Sequence, residues 1–477
     1  MQLPEAFERN MRELLGAGAD SVLAAIADEP VVSVRLNPWK RVPTGLEDAV
    51  PWAADAFYLD ERKAFTFDPL FHAGCYYVQE ASSMFLEQAV RAYVTKPVVA
   101  LDLCAAPGGK STLLRATLPQ GSVLVANEPM ANRAQVLVEN IVKWGHRDCV
   151  VTSGFPADFG ALGETFDLLV TDVPCSGEGM FRKDPVAVAD WSEENVDVCW
   201  RRGRDILHDC WPCLRSGGLL VYSTCTFNPY EDEKNVRWIC DELGAEVLPI
   251  DIDERWGITG DLTSNDGDTP LPVYHFLPGR TRGEGFFLAV LRKHGTTDDA
   301  PSGPAPTVKS LRKARSRQTE KALPVPAICR SWIRQPDDCS WTVNGTTVEA
   351  IPRSLNDETG LLTALRQQMR VLHAGIRVAE LKGRDVVPCQ ALAFSTECNM
   401  EAFASVPLAY ADALQYLRGE SLTLPADTPR GFVLLTFKGM PIGFAKNLGN
   451  RANNLYPAEW RIRTTHLPSE PVEVLYF

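Results

Sequence analysis

Two cysteines in this chain stand where chemistry could use them. One lies in Asp172-Val173-Pro174-Cys175-Ser176-Gly177-Glu178-Gly179, the other in Tyr222-Ser223-Thr224-Cys225-Thr226-Phe227. Each follows an apolar, strand-like run (166–173 and 219–224), so each thiol is presented at a strand tip. A thiolate there can add to an electrophilic carbon and be expelled again, with Asp172 supplying a proton or a hydrogen bond. A free thiol has a pKa of about 8.5 and is mostly protonated at pH 7, so such a site must favour the anion or deprotonate the thiol. Most of the 13 cysteines read instead as small buried apolar residues. Cys210-Trp211-Pro212-Cys213 has a redox spacing, but it ends a helical stretch (204–214) instead of opening one after a strand, and reads as structural. Cys329 and Cys339 are too far apart for a zinc ribbon, and no metal is expected.

A third segment completes the chemistry: Leu101-Asp102-Leu103-Cys104-Ala105-Ala106-Pro107-Gly108-Gly109-Lys110-Ser111, between a strand-like run and a helix. A glycine turn there lets the backbone approach a ligand at a helix N-terminus. Gly109-Lys110-Ser111 imitates the end of a P-loop, but the first glycine of that pattern falls on Cys104. No G-x-G-x-x-G is present. The next strand ends at Glu128, an acid able to accept from both hydroxyls of a ribose. Strand, glycine turn, helix, strand, acid is the layout of an S-adenosylmethionine site.

These segments need a frame. Apolar runs at 98–104, 123–127, 150–153, 166–173, 219–224, 245–250 and 286–291 alternate with helical stretches and predict a parallel, doubly wound α/β sheet. In such a sheet ligands bind beyond the carboxyl ends of the strands, so the glycine loop, Asp172 and both thiols face one crevice. The expected division is an N-terminal region (1–88), a core (89–293), a Gly/Pro-rich linker with a basic end (294–321) and a C-terminal region (322–477). The core is expected to bind its cofactor without the C-terminal region.

At 477 residues, 45% hydrophobic and 23% charged, the chain has the size of about three globular domains. Apolar runs long enough for a membrane span are absent, and the N-terminus lacks a secretory pattern, so a cytoplasmic protein without membrane contact is expected. A net charge of −13 argues against whole-surface attraction to nucleic acid, yet residues 429–463 hold six basic side chains and one acid, and 309–321 is also basic.

Asp-x-Pro-Cys-Ser-Gly-x-Gly, Tyr-Ser-Thr-Cys-Thr and Cys-Ala-Ala-Pro-Gly-Gly-Lys together resemble the NOL1/NOP2/Sun family of RNA cytosine-C5 methyltransferases. Gln79-Glu80-Ala81-Ser82-Ser83 and the tail around Gly449–Pro457 resemble its bacterial 16S rRNA methyltransferase F branch over nearly the whole chain. The resemblance implies a Rossmann-like class I core, a family N-terminal region and a PUA-like RNA-binding part. It implies S-adenosylmethionine as cofactor, held by Cys104, Ala105, Ala106, Pro107, Gly108, Gly109, Lys110, Glu128 and Asp172. Thiol chemistry alone leaves the attacking cysteine open, because DNA cytosine-C5 methyltransferases use the Pro-Cys residue. The resemblance assigns attack on C6 to Cys225 and product release to Cys175. A carboxyl such as Asp172 suits protonation of, or a hydrogen bond to, N3 if burial raises its pKa, with Lys110 orienting Asp172 or the base.

One departure stands out. The family often carries an Asp near the adenine just after the third strand, where this chain has Ser153-Gly154-Phe155-Pro156. Asp158 lies three or four residues out of register, so backbone is expected to meet the adenine amino group, with Phe155 as an apolar wall. RNA, 16S rRNA or the small ribosomal subunit above all, is the implied partner, with Lys446, Arg451 and Tyr456 as candidate contacts. A tRNA cytosine-C5 methyltransferase and a non-catalytic rRNA-binding assembly factor are the alternatives.

Overall fold

The computed structural model describes residues 2–264, 269–295, 324–356, 360–464 and 466–475; the basic run 309–321 and all but two residues of the expected linker lie outside them. Near the N-terminus, helix Glu5–Leu15 buries Phe7 and Met11. It is followed by an antiparallel sheet of β1 (Val32–Leu36), β2 (Ala56–Leu59) and β3 (Tyr76–Val78), in the order β2-β1-β3. The Glu80 carboxylate after β3 accepts hydrogen bonds from the backbone of Ser82, Ser83 and Glu284, each at 2.9 Å. The Gln-Glu-Ala-Ser-Ser segment is therefore a joint between this region and the core.

All seven apolar runs become strands: β4 (Val99–Asp102), β5 (Val123–Asn127), β6 (Cys149–Ser153), β7 (Phe166–Asp172), β8 (Leu214–Thr224), β9 (Ala245–Leu248) and, after β10 (Val273–Phe276), β11 (Phe286–Lys293). Beyond the linker come β12 (Cys339–Asn344), β13 (Thr347–Pro352), β14 (Arg370–Ala374), β15 (Ile376–Lys382) and β16 (Asp385–Pro388). The last group is β17 (Ala404–Pro407), β18 (Gly431–Phe437), β19 (Met440–Asn447) and β20 (Ala452–Asn454).

The central sheet runs β10-β11-β8-β7-β4-β5-β6-β14, with β9 also on β11. Its middle, β8-β7-β4-β5-β6, is parallel, as the run of helices between strands requires. β5 is buried along its whole length, the condition that selects a continuous apolar strand between two helical layers. The edges differ from the expected parallel sheet. β11 is antiparallel to β8 and β14 is antiparallel to β6. β14 comes from beyond the linker, so the core sheet is completed by the C-terminal region. Leu361, Leu362 and Leu365 of the preceding helix share one buried cluster with Val150, Phe159 and Phe166.

The remaining C-terminal strands form two four-stranded sheets, β12-β13-β15-β16 and β17-β18-β19-β20. They close back on the N-terminal region: Tyr410 donates to the Phe67 carbonyl (2.9 Å) and Val474 N–H to Asp68 (3.1 Å). Among the described residues no helix is long and apolar enough to cross a membrane. The site follows from strand order, since β4 has β5 on one side and β7 on the other. The connections diverge at that point and leave a crevice above the carboxyl ends.

Candidate active site

The loop after β4 is fixed from two sides. Gly108 caps helix Gly109–Thr117 at φ +118°, and a Cβ there would meet Leu137 and Asn140 at 3.3 Å, so glycine alone suits this approach. Asn140 donates to the Pro107 carbonyl (2.8 Å) and Arg133 to that of Ala106 (3.1 Å). From β1, the buried Arg35 reaches across: Nε donates to Gln79 Oε1 (3.0 Å), and Nη2 to Thr112 Oγ1 (2.6 Å) and the Gly109 carbonyl (3.3 Å). Burial lowers the Arg35 pKa to about 9. Ala105 N–H donates to the Asn127 carbonyl (2.9 Å), and burial pushes the Cys104 thiol up.

Asn127 ties three strand tips together. Its amide donates to the carbonyls of Leu103 (3.1 Å) and Gly154 (3.0 Å), and its oxygen accepts from Gly154 N–H (2.9 Å). Beside it, Glu128 is 2% exposed, with Met130 N–H on Oε1 (2.9 Å) and Arg133 3.4 Å from Oε2. Each carboxylate oxygen keeps a lone pair for a ribose hydroxyl. Asp102 is fully buried; Ser111 donates to its Oδ2 (2.6 Å), while Oδ1 has no hydrogen-bond partner among the described residues. A glycine-only cradle, an orphan acceptor and a two-acceptor carboxylate fit the amino acid and ribose parts of S-adenosylmethionine.

The thiols meet across β7 and β8. Cys175 Sγ and Cys225 Sγ are 3.1 Å apart, and Cys225 N–H donates to Cys175 Sγ at 3.3 Å. The hydrogen bond with Cys225, burial and the Cys225 charge hold the Cys175 pKa well above the ordinary thiol value, so Cys175 keeps its proton. Asp172 Oδ2 accepts from Lys110 Nζ (2.8 Å) and Oδ1 from Ser223 Oγ (2.9 Å). Burial alone would lower the Lys110 pKa; the charge and hydrogen bond of Asp172 outweigh it and raise it. Asp172 is 30% exposed and paired with the Lys110 ammonium. Below it, burial lifts the Asp102 carboxyl to about 7.

Two carboxylates to which the sequence reading gave no role, Glu231 and Glu178, hold the two cysteine loops in register. Glu231 accepts from Ser176 N–H (3.0 Å) and Asn228 Nδ2 (2.7 Å). Glu178 accepts from Thr226 Oγ1 (2.7 Å), Phe227 N–H (2.9 Å) and Trp191 Nε1 (3.0 Å). The hydroxyls of Ser176 and Thr226 lie 3.0 Å apart, directly linking the residues after each cysteine. Burial lifts Glu231 to about 7. The available signal was the run of acids at 231–233 beside a strand tip, an unusual place for buried carboxyls.

The RNA candidates fare unevenly. Tyr456 is 2% exposed, its ring against Tyr416 at 5.4 Å and its hydroxyl 3.2 Å from His72 Nδ1. It is a core residue at the seam with the N-terminal region and offers no face to a base. Lys446 is paired with Asp385 (2.6 Å), and Arg451 is exposed at the turn between β19 and β20. The pair Cys210 and Cys213 is buried, as its structural reading requires.

Comparison with known proteins agrees with this geometry. Residues 95–292 match the family described as 16S rRNA methyltransferase RsmB/F, residues 3–81 the N-terminal domain of 16S rRNA methyltransferase RsmF, and residues 403–462 the methyltransferase RsmF PUA domain. The ribosomal RNA small subunit methyltransferase F of Escherichia coli (strain K12) is 32% identical over 491 residues, 96% of each chain. That of Enterobacter sp. (strain 638) is 30% identical over 480 residues, 96% of this chain and 95% of the relative. Among solved structures, a methyltransferase homolog protein from Pyrococcus horikoshii superposes with a TM-score of 0.52 at 26% identity, over 61% of this chain and 95% of that one. NSun6 from the same organism shares the fold, with a TM-score of 0.51 at 19% identity over 61% and 99%. The methyltransferase, N-terminal and PUA parts are thus all matched along the chain, which belongs to the S-adenosylmethionine-dependent RsmB/F methyltransferase family.

Proposed function

We propose that this protein methylates C5 of a cytosine in 16S rRNA, in the cytoplasm, through a covalent bond between Cys225 and C6. The observation that carries the reading is the pair of sulfurs 3.1 Å apart beside the Lys110–Asp172 ion pair. C5 of cytosine is too poor a nucleophile to attack a methyl sulfonium unaided. The Cys225 thiol gives its proton to water, the thiolate Sγ adds to C6, and the π electrons move toward C5 and N3. The Lys110–Asp172 pair holds one mobile proton between ammonium and carboxylate and delivers it to N3 as charge develops there.

Held by the glycine loop and Glu128, S-adenosylmethionine would supply an electrophilic methyl group to C5, its sulfur keeping the bonding pair. The C5 proton then passes to water, the C5–C6 double bond re-forms, and the bonding pair of S–C6 returns to Cys225. Cys175, still protonated, donates to the departing thiolate and speeds release. The N3 proton returns to the ion pair.

The target base must be single-stranded or flipped out to reach a sulfur at a strand tip. The basic 429–463 segment supports RNA binding by the C-terminal region (322–477), beside a core at 89–293 and an N-terminal region at 1–88. Bisulfite sequencing of total RNA from cells with and without the gene tests the reading. A 16S cytosine that loses protection on deletion is expected; loss at a tRNA position instead moves the substrate, and no loss removes the activity.

A further inference from the structure

A cavity adjoins the clamp that holds the two cysteine loops. It measures 590 Å³, within the range of small-molecule sites, about 300–1,000 Å³. Helix Glu5–Leu15 lends it Phe7, Met11 and Glu13, helix Glu193–Cys210 lends Val196, and the loop after β8 lends Asn228 and Tyr230. Glu178 borders it from the Cys175 loop. The cavity thus lies between the N-terminal region and the core. Two of its lining residues, Glu178 and Asn228, also bond to Thr226 Oγ1 (2.7 and 2.8 Å), one residue from Cys225.

Three features decide what it can hold. The floor is apolar, since Phe7, Met11 and Val196 are buried. Tyr230 is 50% exposed and braced edge-on by Trp200, with ring centroids 6.1 Å apart, a platform for a planar ligand. The acids at the rim differ. Glu193 and Asp197 are engaged by Arg9 (2.9 Å) and Arg201 (3.1 Å), whereas the exposed Glu13 has no hydrogen bond or ion pair among the described residues. A carboxylate only accepts, so a planar ligand seated there should present two donors side by side. Among the RNA bases guanine alone does so on its Watson–Crick edge, through N1–H and the 2-amino group. Adenine and cytosine set a ring-nitrogen lone pair beside their amino group, and uracil flanks N3–H with two carbonyls; a carboxylate repels each of these. Lys234, exposed and 3.4 Å from the Tyr230 ring centroid, offers a cation to the phosphate.

We propose that an unpaired guanine of the RNA substrate, on the same strand as the target cytosine, binds in this cavity, stacked on Tyr230 with its N1–H and 2-amino group donating to Glu13. The proposal rests on the reading of the protein as an RNA methyltransferase and adds a second recognised base to it. Asn228 also donates to Glu231 (2.7 Å), which in turn accepts from Ser176 N–H (3.0 Å). A base in the cavity therefore rests on the same residues that set the two thiols, and sequence context is read by the N-terminal region, apart from the PUA-like tail.

The test is calorimetry on the full chain, saturated with S-adenosylhomocysteine to fill the cofactor site. The probes are guanosine 5′-monophosphate and inosine 5′-monophosphate, which lacks the 2-amino group. The guanine nucleotide should bind with a Kd of about 0.1–10 mM, and the inosine nucleotide about five- to twentyfold more weakly. Glu13→Gln, on an exposed helix face, should bring the ratio close to one. Tyr230→Ala should weaken both nucleotides at least about fivefold, with the ratio unchanged. Equal affinity of the wild type for the two nucleotides, or no saturable binding below about 20 mM, overturns the proposal. So does an unaltered ratio in Glu13→Gln or unaltered affinity in Tyr230→Ala. Failure of the RNA reading itself shows separately, as 16S rRNA whose cytosines are unchanged when the gene is deleted.

Discussion

The sulfur of Cys175 lies 3.1 Å from that of Cys225 and accepts the Cys225 N–H at 3.3 Å. The two loops are therefore one functional unit, and the thiols have separable tasks. Cys225→Ala should be inactive and form no covalent RNA complex. Cys175→Ala removes the donor to the leaving sulfur, so it should accumulate a protein–RNA band on denaturing gels when S-adenosylmethionine is present. The reverse pattern would exchange the two roles.

The clamp beneath the thiols has a stability signature. Glu178→Ala leaves Trp191 Nε1 and Phe227 N–H without an acceptor, while Thr226 can turn its hydroxyl to Ser176. Each orphaned buried donor costs about 1–3 kcal/mol, and loss of about 2–4 kcal/mol is expected in urea unfolding. Trapping by 5-fluorocytidine RNA should slow in step, with RNA affinity unchanged and partial recovery in Glu178→Gln. Equal stability of Glu178→Ala and wild type would mean that the loops are held by other contacts.

Asp102 gives a pH dependence with a defined sign. Burial lifts its pKa from the usual carboxyl range to about 7, so between about pH 4 and 7 the folded chain binds a proton that the unfolded chain has released. Its contribution to stability is present at low pH and declines as pH rises through 7. Without cofactor, the stability of Asp102→Asn relative to wild type should grow with pH across this window. The slope is at most about 1.4 kcal/mol per pH unit. A flat difference curve would show that Asp102 titrates normally.

A chain ending at residue 293 lacks β14 and bares the edge of β6 with the apolar cluster around Phe159 and Phe166. Contrary to the expectation from the linker, this fragment should associate and bind S-adenosylhomocysteine at least about tenfold more weakly than the full chain. Sedimentation and calorimetry read both effects. Wild-type affinity in a monomeric fragment would show that the added strand is dispensable.

Of the basic candidates, Arg451 is exposed while Lys446 is engaged by Asp385. Arg451→Ala should reduce the slope of log affinity for RNA against log salt by about one unit, and Lys446→Ala by less. Equal slopes in wild type and both variants would place the RNA on another surface.

The sequence by itself determined which candidate site residues stand at strand ends: the glycine loop, Glu128, Asp172, Lys110, Cys175 and Cys225 all follow apolar runs. Their assignment needs only local information, because a strand tip, a glycine turn and a thiol after a proline are properties of a few consecutive residues. Even the parallel centre of the sheet follows from strands alternating with helices. Tertiary structure decided what depends on partners distant in the chain. β14 joins β6 across more than two hundred residues, a pairing that local pattern does not encode. Tyr456 has the composition of a surface aromatic beside basic residues, but packing against Tyr416 and His72 buries it. Asp102 and Asp172 look alike as acids at strand ends. Which of them burial lifts and which an ammonium engages was settled by the depth of each carboxyl below the crevice, a quantity that exists only once the layers are packed.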